Sequence, residues 1–201
     1  MRSLSIICPG LCLSEPTAWH FPGLTDLYIS SGTTFTARSQ ALRGVTGAQM
    51  MRTLRRVECP AAVLPVLLQM HWLEELVLVG SLPPETVVLM ALVPIHAPTM
   101  TGLRSVRLVS GCWPALHWLP PTLRSLEVIG CPFVEFTVHH LERLALFGTP
   151  VSAELAASIG RCTLDEFILH PLGAPCAPMH VTASTIDVSA PELDHVTWSL
   201  P

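Results

Sequence analysis

The sequence predicts an α/β fold, a single curved solenoid with a parallel sheet on its concave side and mixed helical and irregular connectors on its convex side. Three observations predict it. A six-residue phrase, leucine-x-x-apolar-x-apolar, recurs nine times along the 201 residues. Its first slot is leucine in every phrase but the one that starts at Met1. The second, third and fifth slots of the nine phrases hold 16 of the 26 charged side chains. Recurrence of a short unit is how a solenoid is written, because each coil buries its apolar edge only against its neighbours. Alternation of apolar and charged slots is what a strand needs when one face meets a core and the other meets water.

The phrases are Met1–Ile6, Leu24–Ile29, Leu54–Cys59, Leu73–Leu78, Leu103–Leu108, Leu123–Val128, Leu141–Leu146, Leu164–Leu169 and Leu193–Trp198. Each predicts one strand, and nine strands spaced about 4.8 Å apart run on the order of 40 Å. The connectors differ in kind. Residues 37–54 place Ala41, Leu42, Val45, Ala48 and Met51 at helical intervals. Pro84 and Glu85 open a second helical pattern through Leu92, with proline and an acid in the first turn. The clearest helix spans Ser152 to Ile159: Ser152 caps it, Leu155, Ala156 and Ile159 share a face, and Gly160 stops it. Residues 112–122 and 131–140 are short and rich in proline and aromatics, which predicts extended or 3₁₀ backbone. Thr185 to Val188 reads as an additional strand leading into the last phrase.

On these phrases the chain resembles the leucine-rich repeat family, in its irregular, cysteine-containing, ribonuclease-inhibitor-like form. The family unit runs L-x-x-L-x-L-x-x-N/C-x-L, and its ninth position carries a small hydrogen-bonding side chain. That position is Ser81, Cys131 and Thr149 in three central phrases, with Phe133 and Val151 at the eleventh in the latter two. The chain has no asparagine, so the family's usual ladder is absent, and successive phrases lie 18 to 30 residues apart. The resemblance implies one domain over residues 1–201 and a non-catalytic, protein-binding role. One specific form it suggests is the substrate receptor of a ubiquitin-ligase assembly. Another reading is a piece or decayed copy of a larger repeat protein, since the chain starts inside a repeat at Met1 and stops inside one at Pro201. Terminal coils without polar caps lead us to expect ends covered by a partner or by self-association.

Composition narrows the function classes. Net charge is −4 and the sequence pI about 6.1, so neither nucleic acid nor an anionic membrane has bulk electrostatic support. All 11 basic side chains other than histidine are arginine. Without lysine there is no Walker-A loop and no Schiff-base chemistry, and without asparagine no glycosylation sequon. Seven cysteines with no C-x-x-C pair predict buried thiols in a reducing, cytoplasmic compartment rather than a disulfide framework. Met1-Arg2 followed by Leu4 to Leu13 resembles a secretory leader only faintly, interrupted by Pro9. No stretch reaches the length of a membrane span.

Chemical constellations are thin. His170, Cys176 and His180 come nearest to a metal site, but zinc requires a fourth ligand. Cys8, Cys12 and His20 form a weaker set. Cys112 with His117, and Cys162 with His170, are the nucleophile–base pairs one can name, and neither has an orienting third group. We therefore expect no enzyme activity, no metal and no cofactor. The binding surface is the stronger expectation. The seventh slot, at the strand exit, holds Val79, Val109, Ile129 and Phe147 in four consecutive phrases. Arg104, Arg107 and Arg124 flank that apolar stripe in the middle phrases, and Glu142, Asp165, Glu166 and Asp194 follow toward the C-terminal end. Apolar burial for affinity beside charge for orientation is what a protein interface needs.

Overall fold

The structure, a computed structural model, describes residues 2–6, 23–29, 52–68, 70–82, 84, 100–170, 179–181, 185–188 and 196–199. It is α/β. Strands β1 (Ser3–Ile6), β2 (Asp26–Ile29), β3 (Arg56–Pro60), β4 (Glu75–Val79) and β5 (Ser105–Val109) each coincide with a phrase. A short pair partner, β6 (Trp113–Leu116), follows β5, and β7 (Ser125–Ile129) carries the next phrase. β8 (Phe133–Phe136), β9 (His140–Phe147) and β10 (Thr163–His170) complete the series. Strands β1, β2, β3, β4, β5, β7, β9 and β10 lie side by side in chain order, every pair parallel.

The register matches slot to slot. The fourth slots align as Val57, Leu76, Val106, Leu126, Leu144 and Phe167, and the sixth as Cys59, Leu78, Leu108, Val128, Leu146 and Leu169. A one-residue slip would turn every one of these side chains to the opposite face, so the apolar core enforces the alignment. All twelve are buried, in one continuous core that also takes in Leu54, Leu73, Leu103, Leu123 and Leu141 from the first slot.

Two sets of local interactions turn the chain out of each strand. The eighth slot adopts positive φ in four consecutive coils, at Gly80 (84°), Ser110 (52°), Gly130 (61°) and Gly148 (57°). Glycine suits the left-handed region because it has no Cβ to clash, and Ser110 is the exception. Each of these amides donates to the seventh-slot carbonyl of the next strand: Gly80 to Val109 (2.8 Å), Ser110 to Ile129 (2.9 Å), Gly130 to Phe147 (2.7 Å) and Gly148 to His170 (2.7 Å). The ninth slot then ties the turn. Ser81 Oγ accepts from the Cys112 amide (2.9 Å), and Cys131 Sγ accepts from the Gly111 amide (3.3 Å) while donating to the Ile129 carbonyl (3.1 Å). The Thr149 hydroxyl lies 3.4 Å from the Val128 and Phe147 carbonyls.

Threonines serve the other end of the strands. Just ahead of the first-slot leucine, Thr53 donates to the Leu24 carbonyl (2.8 Å) and Thr122 to the Thr101 carbonyl (3.1 Å). Thr163 donates in the same way to the His139 carbonyl (2.9 Å). In the phrase at Leu103 that position is Gly102, whose amide bonds the His71 carbonyl (2.8 Å), and a Cβ there would come within 2.5 Å of that oxygen.

The connectors match the expectations in part. The proline- and aromatic-rich pair are extended, with β6 and β8 forming a separate parallel pair. Helix α1 (Leu64–Leu67), after a 3₁₀ turn at Ala61–Val63, has Pro65 in its first turn, where a missing N–H costs nothing. Helix α2 (Ala153–Gly160) is capped by Ser152, which accepts from the Leu155 amide (3.2 Å), and buries Leu155 and Ile159. Gly160 falls inside its last turn rather than stopping it, and Arg161 is the C-cap in right-handed helical conformation. The helical patterns expected at residues 37–54 and 84–92 lie almost wholly outside the described residues. Trp113 and Trp118 pack side by side in the core, ring centroids 6.4 Å apart, and their indole N–H groups find no acceptor among the described residues.

The ninth phrase departs from the expected parallel series. After β10, strand β11 (Met179–Val181) pairs antiparallel with it and occupies the edge where a ninth parallel strand was expected. Residues 171–178 are a shorter connection than residues 130–139, which carry the shortest parallel crossover here, and antiparallel return needs less chain. The last phrase forms β13 (Val196–Ser199), antiparallel to β12 (Thr185–Val188) in its own two-stranded sheet. The extra strand at Thr185 to Val188 is where the sequence placed it.

Leu126 and Leu144 sit fully buried in adjacent fourth slots. Replacing either by alanine is expected to cost ~2–5 kcal/mol. Arg124→Ala or Glu142→Ala, which remove one exposed ion pair, are expected to cost less than about 1 kcal/mol. Urea denaturation checks both, and charge variants as damaging as the leucine variants contradict the register.

Candidate protein-binding face

The face opposite the core carries slots three, five and seven, and slot two lies just ahead of the phrase strands from β1 to β7 and inside them in β9 and β10. Its charges are not scattered. Acid meets arginine at the same slot of the next strand, at Arg55–Glu74 (3.4 Å), Arg56–Glu75 (3.5 Å) and Arg107–Glu127 (2.9 Å). The same holds at Arg124–Glu142 (2.9 Å) and Arg143–Glu166 (3.2 Å). Opposite charges directly across a sheet stabilise modestly, and exposed pairs such as these contribute roughly 0–1 kcal/mol each. At that magnitude the ladder accompanies the strand order that the core sets and does not hold the fold.

The residues singled out in the sequence are brought together. Val79, Val109, Ile129 and Phe147 end β4, β5, β7 and β9 and face one another in register as an unbroken row. All four are half-buried, and the row continues to His170, whose ring centroid lies 6.4 Å from that of Phe147. Arg104, Arg107 and Arg124 are exposed on the same two central strands or just before them. Arg107 and Arg124 are engaged within the sheet by Glu127 and Glu142, and Arg104 donates to the Thr122 carbonyl (2.9 Å). The alternation fails at three fifth slots, Val77, Ala145 and Ile168, which are buried on this face. Ala145 is too short to reach past its register neighbours Glu127 and Ile168. Asp194 lies outside the described residues.

Sequence reasoning missed the ion-pair ladder, including Arg55, Arg56, Glu74, Glu75 and Arg143. The signal was present as arginine and acid in the same slot of consecutive phrases. It was read one phrase at a time, which hides pairing across strands.

The chemical constellations do not assemble. Cys162 and His170 flank β10 along its length, about 25 Å apart at strand rise. Cys112 and His117 flank β6, about 16 Å apart in extended backbone. Burial pushes the Cys162 thiol up to about 12, against a small opposing effect of a hydrogen bond to the Leu141 backbone. Burial also raises Cys59, with the Glu58 charge adding to it, and raises Cys131 against three backbone hydrogen bonds. Thiols raised in this way stay protonated and unreactive at neutral pH. Among the described residues no group of three or more histidine, cysteine or acidic side chains is placed to hold a metal. Cys176 and the side chain of His180 lie outside the described residues, as do Cys8, Cys12 and His20. Among the described residues no helix is long and apolar enough to cross a membrane.

Comparison of the chain with protein-family models, with curated protein sequences and with solved structures finds no match.

Site-resolved alkylation with a maleimide at neutral pH checks the thiol environments. Cys112, exposed, is expected to label at the rate of a free thiol, whereas Cys59, Cys131 and Cys162 label only on unfolding. Fast labelling of Cys59 in the native protein contradicts the burial described.

Proposed function

We propose that this chain is a non-catalytic protein-recognition module of leucine-rich repeat type, a curved solenoid presenting its charged sheet face to a protein partner. The repeat reading is supported by coincidence of phrase and strand, by slot-to-slot register, and by hydrogen-bonding side chains at the ninth slot. The functional reading rests on one observation. Four half-buried apolar side chains, Val79, Val109, Ile129 and Phe147, align on adjacent strands on the face that also carries the arginines. A row of this kind offers apolar area at low ordering cost, since strand backbone already fixes it, and surrounding charge selects orientation. Phe147 is the anchor, because large aromatic side chains dominate interface energies.

Phe147→Ala and Ile129→Ser are expected to weaken capture of a protein partner from lysate several-fold. The same variants should lower the melting temperature by no more than about 4 °C. Quantitative mass spectrometry of the captured proteins, with calorimetry of the same samples, makes the check. Unchanged capture by both variants, or a large loss of stability from either, removes the row as a recognition surface.

A further inference from the structure

We infer that the Arg104 guanidinium receives a carboxylate from a protein partner, an inference that rests on the sheet face being a recognition surface. Six arginines lie along the charged face from β3 to β9. Arg55, Arg56, Arg107, Arg124 and Arg143 each meet an acid of the next strand. Among the described residues Arg104 meets only the Thr122 carbonyl (2.9 Å), which uses one of its five N–H donors. Its neighbours in the same slot are both committed elsewhere, Glu74 to Arg55 and Arg124 to Glu142. Backbone bonds from the Arg104 amide to the Glu74 carbonyl (2.8 Å) and from the Arg124 amide to the Arg104 carbonyl (2.9 Å) hold the three side by side. Arg104 thus stands between an acid that Arg55 holds and an arginine that Glu142 holds, with its own guanidinium facing neither as an ion pair. The acidic counterpart, Glu142 beside Asp165, stands at the C-terminal end of the same row.

The surroundings fit a carboxylate. In the third slot, between Glu75 and Arg143, the central strands carry Ser105 opposite Ser125, both half-buried. Short hydroxyl side chains there make a low step in an otherwise long-chained charged row and supply two further donors. The planar fork of arginine matches a carboxylate with two parallel hydrogen bonds. One unmatched positive charge suits a single carboxylate better than a polyanion, which a protein of net charge −4 repels at long range. Val109 and Ile129 end the same two strands, about 17 Å from Arg104 at strand rise. The occupant is therefore a peptide segment presenting an acidic side chain and, about 17 Å along, an apolar one.

Selection of phage-displayed random dodecapeptides on the full chain, followed by fluorescence anisotropy on the winning peptides, tests this. The selected peptides should share one aspartate or glutamate. Arg104→Ala should weaken their binding about tenfold, and so should the amide analogue of that acid in the peptide. The two changes together should cost no more than either alone, and Arg161→Ala, at the C-cap of α2, should change nothing. Selected peptides without a shared acid, or binding indifferent to Arg104→Ala, overturn the carboxylate site and leave the recognition surface standing. Failure to select any peptide overturns both. Competition by inorganic phosphate stronger than by acetate at equal ionic strength assigns the site to phosphoryl groups and overturns the carboxylate.

Discussion

Everything in this fold depends on the apolar slots of one strand meeting the same slots of the next. No coil has a core of its own. Leu126 is buried because Val106 and Leu144 stand on either side of it, and Val106 because Leu76 stands beyond it. Burial of a full leucine or valine side chain is worth about 1.5–3 kcal/mol, so the column of fourth and sixth slots outweighs every exposed ion pair on the opposite face. The charges follow the register that the core sets.

What the core does not supply is a way out of each strand, and here the backbone decides. The eighth slot must be left-handed so that the chain can leave the sheet while its amide still bonds the next strand. Three of four coils meet that need with glycine, and Ser110 meets it at a cost of roughly 1–2 kcal/mol. In three of the four the ninth slot completes the turn with a hydrogen-bonding side chain, serine, cysteine or threonine, and in the other it is Gly111, packed against the Gly80 backbone. The variation explains how connectors of unequal length feed one regular sheet: the turn is standardised at two residues and the rest of the loop is free.

The strands were legible in the sequence because apolar slots recur with charges between them, a pattern that survives irregular spacing. The helix at α2 was legible from Ser152 and the Leu155–Ile159 spacing, though its end was not, since Gly160 does not take the left-handed conformation that stops a helix. The glycine or serine at the eighth slot leaves a weaker mark than the leucines, because Cys8, Ala61, Pro171 and Leu200 hold that slot in other phrases and positive φ leaves no mark in composition. The antiparallel pairing of β11 with β10 was not legible, as no residue pattern marks the direction in which a strand joins a sheet. At the candidate face, the row from Val79 to Phe147 followed from slot counting alone. The engagement of Arg107 and Arg124 by neighbouring acids required knowing which strands are adjacent.

The face proposed for recognition inherits its geometry from these constraints. Strand register sets the seventh-slot side chains beside one another, and the carbonyls of Val109, Ile129 and Phe147 are each held by the eighth-slot amide of the preceding coil. The most direct measurement of this is amide hydrogen exchange, read residue by residue by NMR. The account predicts that the amides of Gly80, Ser110, Gly130 and Gly148 exchange as slowly as the strand amides of Leu108 and Val128. Exchange of those four at the rate of unprotected turns, with the strands still protected, contradicts it.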